Sequence, residues 1–143
     1  MKTLQFAILL IFNIGCQAQK DEDKQVISML NEFYTNYSTI NFMDFHKWDS
    51  IQKLYCSEKL YRAAKEFYEK GQDLLTDDYD LDASSVKTLI IKRDPKRSNT
   101  FFVSWVTVTY PVSPNNPETK RVALYLSVIK HGSAYKIDSL IKP

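Results

Sequence analysis

Histidine and tyrosine are the side chains through which this sequence could do chemistry or bind a ligand. A histidine in a cleft can act as a general base near neutral pH, and His46 lies beside Trp48 on a predicted helix. The other histidine, His131, is far away in the sequence, and the spacing of the two does not favour a zinc site. A single histidine of this kind is more often a surface or partly buried group than a base, so we expect His46 to be a cleft residue without a catalytic role.

Two tyrosines on the first predicted helix are further candidates for a ligand site. Tyr34 and Tyr37 could present hydroxyl groups to a ligand, although aromatic stripes at helical spacing usually belong to the core. Asp138 is a candidate carboxylate, but it alternates with Tyr135 and Ile137 along its strand, so we expect it to point outward. The sequence thus predicts four cleft residues and no catalytic residue: Tyr34, Tyr37, His46 and Trp48.

Charged residues cluster in two places, and neither cluster has the pattern of a metal or nucleic-acid site. One cluster is an acid run of five aspartates, Asp73, Asp77, Asp78, Asp80 and Asp82. Its part from Asp78 to Asp82 begins like a calcium loop, but Ala83 and Leu89 stand where glycine and glutamate are required. The basic residues 92–97 are interrupted by an aspartate and a proline and lack interleaved aromatics. With 19 Lys+Arg against 17 Asp+Glu, the chain has too little net charge to capture nucleic acid. We expect two solvated loops, no metal and no cofactor.

The N-terminus is typical of a secretory signal peptide. A positive start is followed by an apolar run over residues 4–14, which is too short to span a bilayer. Gly15 and Cys16 then resemble the lipobox of bacterial lipoproteins, although Asn13 departs from that motif. The resemblance implies cleavage after residue 15 and acylation of Cys16, which would tether the chain to a membrane. Ordinary secretion, with cleavage after Ala18, is the alternative.

Residues 16–23 are predicted to be a polar tether between the lipid and the domain. Their Gln-Lys step followed by acids resembles the surface-export signals of lipoproteins of the Bacteroidetes type. A solvated linker without a message is the alternative. If Cys16 is acylated, Cys56 has no cysteine to pair with and we expect an unreactive thiol. If it is not, a disulfide between the two becomes feasible in an oxidising compartment.

Residues 24–143 are predicted to form one α+β domain, with helices first and strands second. Helical periodicity runs over residues 23–38, a second helix is expected after Asn41 as N-cap, and a third between Ser57 and Gly71. From residue 86 the period changes to two, which predicts four strands separated by turn residues. We expect three N-terminal helices packed on one face of a curved four-stranded antiparallel sheet.

Three segments carry a resemblance to a known superfamily. They are residues 30–37 (LNEFYTNY), residues 78–82 (DYDLD) and the ending 122–140 (VALYLSVIKHGSAYKIDSL). These segments resemble the nuclear-transport-factor-2-like superfamily, and their order is similar to that of a lipoprotein family, domain of unknown function 3828. The resemblance implies a cone, in which the sheet wraps around the helices and leaves a cleft at its open end. It implies no catalytic residue, because the superfamily includes isomerases, dehydratases, ligand carriers and protein-binding modules.

The cysteine signal and the lack of a converging polar set together favour binding over catalysis. We expect an outer-membrane envelope lipoprotein, with exposure at the cell surface as one option, that binds a small ligand or an envelope protein. Two other functions stay open: an isomerase or dehydratase of the superfamily, and an immunity-type protein that neutralises a toxin. A soluble secreted or periplasmic protein is the alternative location. The sequence leaves the oligomeric state open.

Overall fold

The chain folds into helices and an antiparallel sheet. A computed structural model describes residues 2–41, 43–109 and 117–141, with side chains from Gln17 onward. The helices are α1 (Lys2–Tyr37), α2 (Phe45–Tyr55), α3 (Glu58–Glu69) and α4 (Ala83–Val86). The strands are β1 (Ile90–Arg93), β2 (Thr100–Thr109), β3 (Glu118–His131) and β4 (Ala134–Ile141).

The first helix is longer than its amphipathic pattern. The stripe predicted for residues 23–38 is buried, with Leu30 and Phe33 at 0% exposure and Val26 at 4%. However, α1 begins at Lys2, so that residues 2–15 of the predicted signal peptide (1–15) and the predicted tether (16–23) belong to the same helix. Among the residues that the structure describes, no helix combines the length and the apolar character needed to cross a bilayer.

Side-chain caps set the beginnings of the next two helices. Ser57 caps α3 as predicted, since its hydroxyl accepts from the Leu60 N–H at 3.2 Å. The predicted cap of α2 was wrong by three residues. Asp44 caps that helix, because its carboxylate accepts from the Lys47 N–H at 3.2 Å. Asn41 instead accepts from the Met43 N–H in the turn before the helix. The aspartate takes this role because its carboxylate favours the positive end of the helix dipole.

The segment before the sheet also differs from the prediction. The periodicity of two begins at residue 86, but β1 begins only at Ile90. Residues 83–86 instead form the short helix α4, which Asp82 caps. The Asp82 carboxylate accepts from the N–H groups of Ser84 and Ser85 at 3.0 and 2.7 Å. These hydrogen bonds, led by that from Ser85, lower the pKa of Asp82 to about 2.

The strands form an open antiparallel sheet in the order β1-β2-β3-β4, which confirms the predicted meander. The aliphatic face of β3 is buried as predicted. Its side chains are 0 to 8% exposed and belong to Val122, Leu124, Leu126 and Val128. A register shift between Ser127 and Val128 interrupts the pairing with β4.

The core lies between this sheet face and the helices, which confirms the α+β class. Phe33 of α1 is at its centre, and its ring centroid is 4.9 Å from that of Tyr34, 5.2 Å from that of Tyr37 and 5.5 Å from that of Tyr55. Tyr34 in turn packs on Trp105 of β2 at 5.7 Å. The last turn of α1 is thereby held between the sheet and α2.

Candidate functional site

A cleft of about 310 Å³ opens where α1 ends, between α2 and the loop that precedes α4. This volume is at the lower end of the range for small-molecule sites. The side chains at its floor are nearly buried: Tyr37 is 6% exposed, Trp48 2% and Thr76 3%. Its other lining residues are Ile40, Gly71, Asp73, Asp78, Tyr79, Asp80 and Leu81.

The hydroxyl of Tyr37 is the centre of a hydrogen-bond network at the cleft floor. It donates to Asp73 Oδ1 at 2.9 Å and accepts from Trp48 Nε1 at 3.1 Å. Gln52 Nε2 is a second donor to it, at 3.4 Å. Burial, followed by the charge of Asp73, raises the pKa of Tyr37 far above its ordinary value. The phenol therefore stays protonated, and its proton is directed at the carboxylate.

Asp73 is the carboxylate at the edge of the cleft that is hydrogen-bonded to its floor. Besides Tyr37, its hydrogen-bond partners are Thr76 and the N–H of Leu75, which lies 3.0 Å from Oδ1. All these partners are neutral, and burial raises the pKa of Asp73 despite their hydrogen bonds. When ionised, Asp73 thus places a negative charge, without a cation among these partners, at the edge of a cavity.

The network continues from the cleft into the core. Gln52 is fully buried on α2, and its Oε1 accepts from the Cys56 thiol at 3.2 Å. Burial raises the pKa of Cys56 to about 12, so the thiol is neutral and a poor nucleophile, as predicted for a cysteine without a partner. The role of Cys56 is to satisfy Gln52, which fixes the amide donor toward Tyr37.

Two contacts to the sheet hold the loop that forms the outer wall of the cleft. Trp105 Nε1 donates to the carbonyl oxygen of Asp80 at 3.1 Å. Lys120 of β3 contacts the Tyr79 hydroxyl, and its ammonium lies 4.1 Å from the ring centroid of Tyr79. The wall is therefore fixed on the same sheet that packs against the floor.

Two of the four predicted cleft residues line the cleft and two do not. Tyr37 and Trp48 are at its floor. Tyr34 is in the core at 0% exposure, where its hydroxyl donates to the Leu75 carbonyl at 3.3 Å, because the aromatic stripe of α1 packs on the sheet. His46 is exposed on α2 with its ring against Phe45, because it lies two residues before the buried Trp48 and thus about 200° around the helix from that side chain.

Asp138 was predicted to point outward into solvent, but its side chain is partly buried beside Lys59. Ile137 points inward at 0% exposure, as predicted. Asp138 lies on the alternate position with 24% of its side chain exposed, and its Oδ2 is 3.8 Å from Lys59 Nζ of α3. It is not among the residues that line the cleft.

Sequence reasoning missed three of the functional groups: Gln52, Asp73 and Thr76. Asp73 was grouped with the solvated acids of the loop, and its distinguishing signal is the apolar pair Leu74 and Leu75 that follows it. Leu75 is fully buried, so the carboxylate of Asp73, two residues before it, also lies close to the core. Among the described residues, no three histidine, cysteine, aspartate or glutamate side chains are grouped so that they could hold a metal ion.

The comparisons with known proteins bear on the fold alone. No family model matches the chain, and its sequence matches no curated protein. The structure is similar to the crystal structure of a protein of unknown function from Bacteroides thetaiotaomicron VPI-5482, with a TM-score of 0.75 and 18% sequence identity. The similarity covers 92% of this chain and 99% of that chain. The two proteins therefore share an α+β fold, with helices packed on an open four-stranded antiparallel sheet.

Proposed function

We propose that this protein is a membrane-anchored envelope lipoprotein whose cleft binds a small organic cation without catalysis. The observation that carries the proposal is Asp73, a largely desolvated carboxylate with neutral hydrogen-bond partners at the edge of the cavity. A ligand ammonium or guanidinium group would supply the missing countercharge through a charge-assisted hydrogen bond. The fold, in this proposal, is the nuclear-transport-factor-2-like cone, with the cleft at its open end.

The walls of the cleft fit the uncharged part of such a ligand. Trp48 and Tyr37 offer aromatic surface, and Ile40 and Leu81 offer aliphatic surface. An aromatic ring beside a carboxylate favours a cation, because the face of the ring carries a negative potential. The proposed ligand is therefore a compact molecule with one positive group on an apolar body.

Binding explains the geometry better than catalysis does. An isomerase or dehydratase needs a group that can give a proton to the substrate or take one from it. The Tyr37 proton is directed at Asp73, and the lone pairs of its oxygen are taken by Trp48 and Gln52. Asp73 Oδ1 already accepts from Tyr37 and from the Leu75 N–H, and His46, the other candidate base, is exposed outside the cleft.

Three matched ligands test the charge preference of the cleft. Phenethylammonium, phenethyl alcohol and phenylpropionate carry the same ring with a cationic, neutral or anionic tail. We expect calorimetric titration to show saturable binding of the cation, weak binding of the alcohol and none of the anion. Asp73→Asn should weaken cation binding at least about tenfold, equivalent to about 1.4 kcal/mol.

Asp77→Asn is the matched control for that titration. It removes the same charge from an exposed residue that does not line the cleft. Asp77 has a φ of 53°, a conformation that asparagine tolerates. We expect its affinity for phenethylammonium to stay within about twofold of the wild type, because a solvent-exposed charge interacts only weakly through water. Equal weakening by both variants would show that the cleft carboxylate has no special role.

The pH dependence of stability tests the state of Asp73 without a ligand. Because burial raises its pKa, the folded chain holds this proton more tightly than the unfolded chain does. The contribution of Asp73 to stability is thus present below about pH 4 and lost as the pH rises through the raised pKa. Relative to the wild type, we expect Asp73→Asn to gain stability as pH increases in urea denaturation. A gain that shrinks with pH would contradict the account.

Acylation of Cys16 is tested by intact mass spectrometry of the protein from its native host. We expect a mature mass that begins at Cys16 and includes acyl chains, in the membrane fraction. Cys16→Ala should lose the acyl mass and move to the soluble fraction, because acyl chains are the source of membrane affinity in such an anchor. An unmodified wild-type chain that begins at Gln19 would contradict the proposed anchor.

A further inference from the structure

The two ends of the sheet differ in charge. At the cleft end, Thr109 of β2 pairs with Glu118 of β3, and the loop at this end carries the aspartates of residues 73–82. At the other end, which we call the hairpin end, residues 94–99 join β1 to β2, and Gly132 lies in the turn between β3 and β4. The basic residues 92–97, which the sequence analysis assigned to a soluble turn, lie at this hairpin end.

The first helix passes the hairpin end before it reaches the cleft. Asp23 pairs with the Arg93 guanidinium, and Nζ of Lys130 on β3 lies 3.9 Å from Glu22 Oε1. Cys16 belongs to the same helix, about 10 Å of helical rise before Asp23, whereas Tyr37 lies about 20 Å beyond it. A lipid on Cys16 would therefore be near the hairpin end and far from the cleft.

Basic and aromatic side chains combine into one surface at the hairpin end. This hairpin platform consists of Lys92, Lys96, Arg97, Phe102 and Tyr125, which line a shallow depression of about 310 Å³. The rings of Phe102 and Tyr125 meet edge to face at 5.4 Å. Lys92 Nζ lies 5.1 Å from the Phe102 centroid, and the Arg97 guanidinium lies 4.9 Å from that of Tyr125. Strands β2 and β3 thus supply the aromatics that the basic sequence itself lacks.

The cations of the platform point outward, while the acid among them does not. Lys92, Lys96 and Arg97 are exposed. Asp94 is only 8% exposed and accepts from the N–H of Lys96 at 2.8 Å, so that it shapes the turn. Its Oδ2 lies 3.7 Å from Arg97 Nε, which neutralises only part of the local positive charge. The surface is therefore a basic patch over aromatic rings.

We infer that the hairpin platform docks on the phosphate groups of an anionic membrane surface and turns the cleft away from the bilayer. Arginine binds phosphate oxygens in a bidentate manner, and lysine adds point charges. Tyrosine rings are favoured at the level of lipid headgroups. A lipid anchor and a basic patch attach a protein more firmly than either does alone. The inference rests on the proposed anchor at Cys16 only for bringing this end to the membrane.

Vesicle binding by the unacylated full chain, Cys16→Ala, tests the platform by itself. We expect co-sedimentation with phosphatidylcholine vesicles that contain phosphatidylglycerol, little with pure phosphatidylcholine, and weaker binding at higher salt. Replacing the three cations together, with Lys92→Gln, Lys96→Gln and Arg97→Gln, should reduce the affinity about one hundredfold, since each contributes about 1 kcal/mol at an anionic surface.

A second triple variant provides the control. Lys59→Gln, Arg62→Gln and Lys70→Gln remove the same residue types from exposed positions of α3 and its C-cap, and we expect close to wild-type vesicle binding. Equal loss in both variants, or equal binding to both kinds of vesicle, would overturn the inference. Saturable binding of inorganic phosphate without a preference for anionic vesicles would also overturn it. Vesicle binding by this variant does not depend on acylation of Cys16, which mass spectrometry tests, or on the cleft, which titration with phenethylammonium tests.

Discussion

Replacing Trp105 with alanine is expected to lower the free energy of unfolding by about 3 to 5 kcal/mol. Trp105 is fully buried and its ring packs on Tyr34, so alanine would leave a large cavity between the sheet and α1. The same change removes the N–H that holds the Asp80 carbonyl, and so releases the outer wall of the cleft. Urea denaturation followed by far-UV circular dichroism measures the effect.

Trp105→Phe separates the two consequences of that change. Phenylalanine keeps an aromatic ring against Tyr34 but has no donor for Asp80. Because Asp80 is exposed, water can replace the lost donor, and we expect a smaller loss in free energy, with weaker binding of phenethylammonium. Equal losses in stability for Phe and Ala would show that the ring does not fill the core as described.

Replacing Tyr37 with phenylalanine is expected to cost about 2 to 4 kcal/mol, although only one oxygen is removed. The lost hydroxyl satisfies three groups: Asp73, Trp48 and Gln52. Trp48 Nε1 and Gln52 Nε2 would lose the acceptor that they share, and Asp73 would lose one of its donors, in a nearly buried site. Such a loss is more costly than losing an exposed hydrogen bond. Affinity for phenethylammonium should fall as well, because Asp73 loses the group that orients it.

Tyr61→Phe is the control for Tyr37→Phe. Its hydroxyl donates to Asp49 at 2.6 Å near the surface, where water can take its place. We expect a loss of less than about 1 kcal/mol in the same denaturation experiment. If the two variants were equally stable, the network at the cleft floor would contribute no more than a surface hydrogen bond does.

The fold could be predicted well because local patterns and tertiary burial agree in it. The stripe of α1 and the alternation of β3 both have the periods that their structures require, and the Ser57 cap follows from its side chain. The errors fall where a polar residue competes for a neighbouring backbone. Asp44 displaces Asn41 as a cap, and Asp82 starts a short helix where alternation predicted a strand.

The site was less predictable, because its chemistry depends on contacts between distant segments. Tyr37 ends α1 and Trp48 lies on α2, and both could be proposed as cleft residues from the periodicity of these predicted helices. Asp73 is 36 residues from Tyr37, and its local signal, the apolar pair Leu74 and Leu75 that follows it, indicates burial but not the contact with Tyr37. The aromatics of the hairpin platform are likewise brought to the basic turn by strand pairing, as Lys92 opposite Phe102 illustrates.

Stability and function are expected to oppose each other at Asp73. An ionised carboxylate with neutral partners reduces the stability of the free protein, yet it is the group that attracts a cationic ligand. The contact between the proposed ligand and Asp73 therefore accounts both for the affinity of the ligand and for its stabilisation of the folded protein. On the proposed orientation, this contact is made at the end of the domain that faces away from the membrane.

The most direct test of the central claim follows the indole N–H signals of the two tryptophans by NMR while phenethylammonium is added. Trp48 lines the cleft and Trp105 lies behind its wall. We predict a saturable shift that is larger for Trp48 than for Trp105, and that Asp73→Asn abolishes. An unmoved Trp48 signal, or an equal shift in the Asp73→Asn variant, would contradict the assignment of this cleft as a site for organic cations.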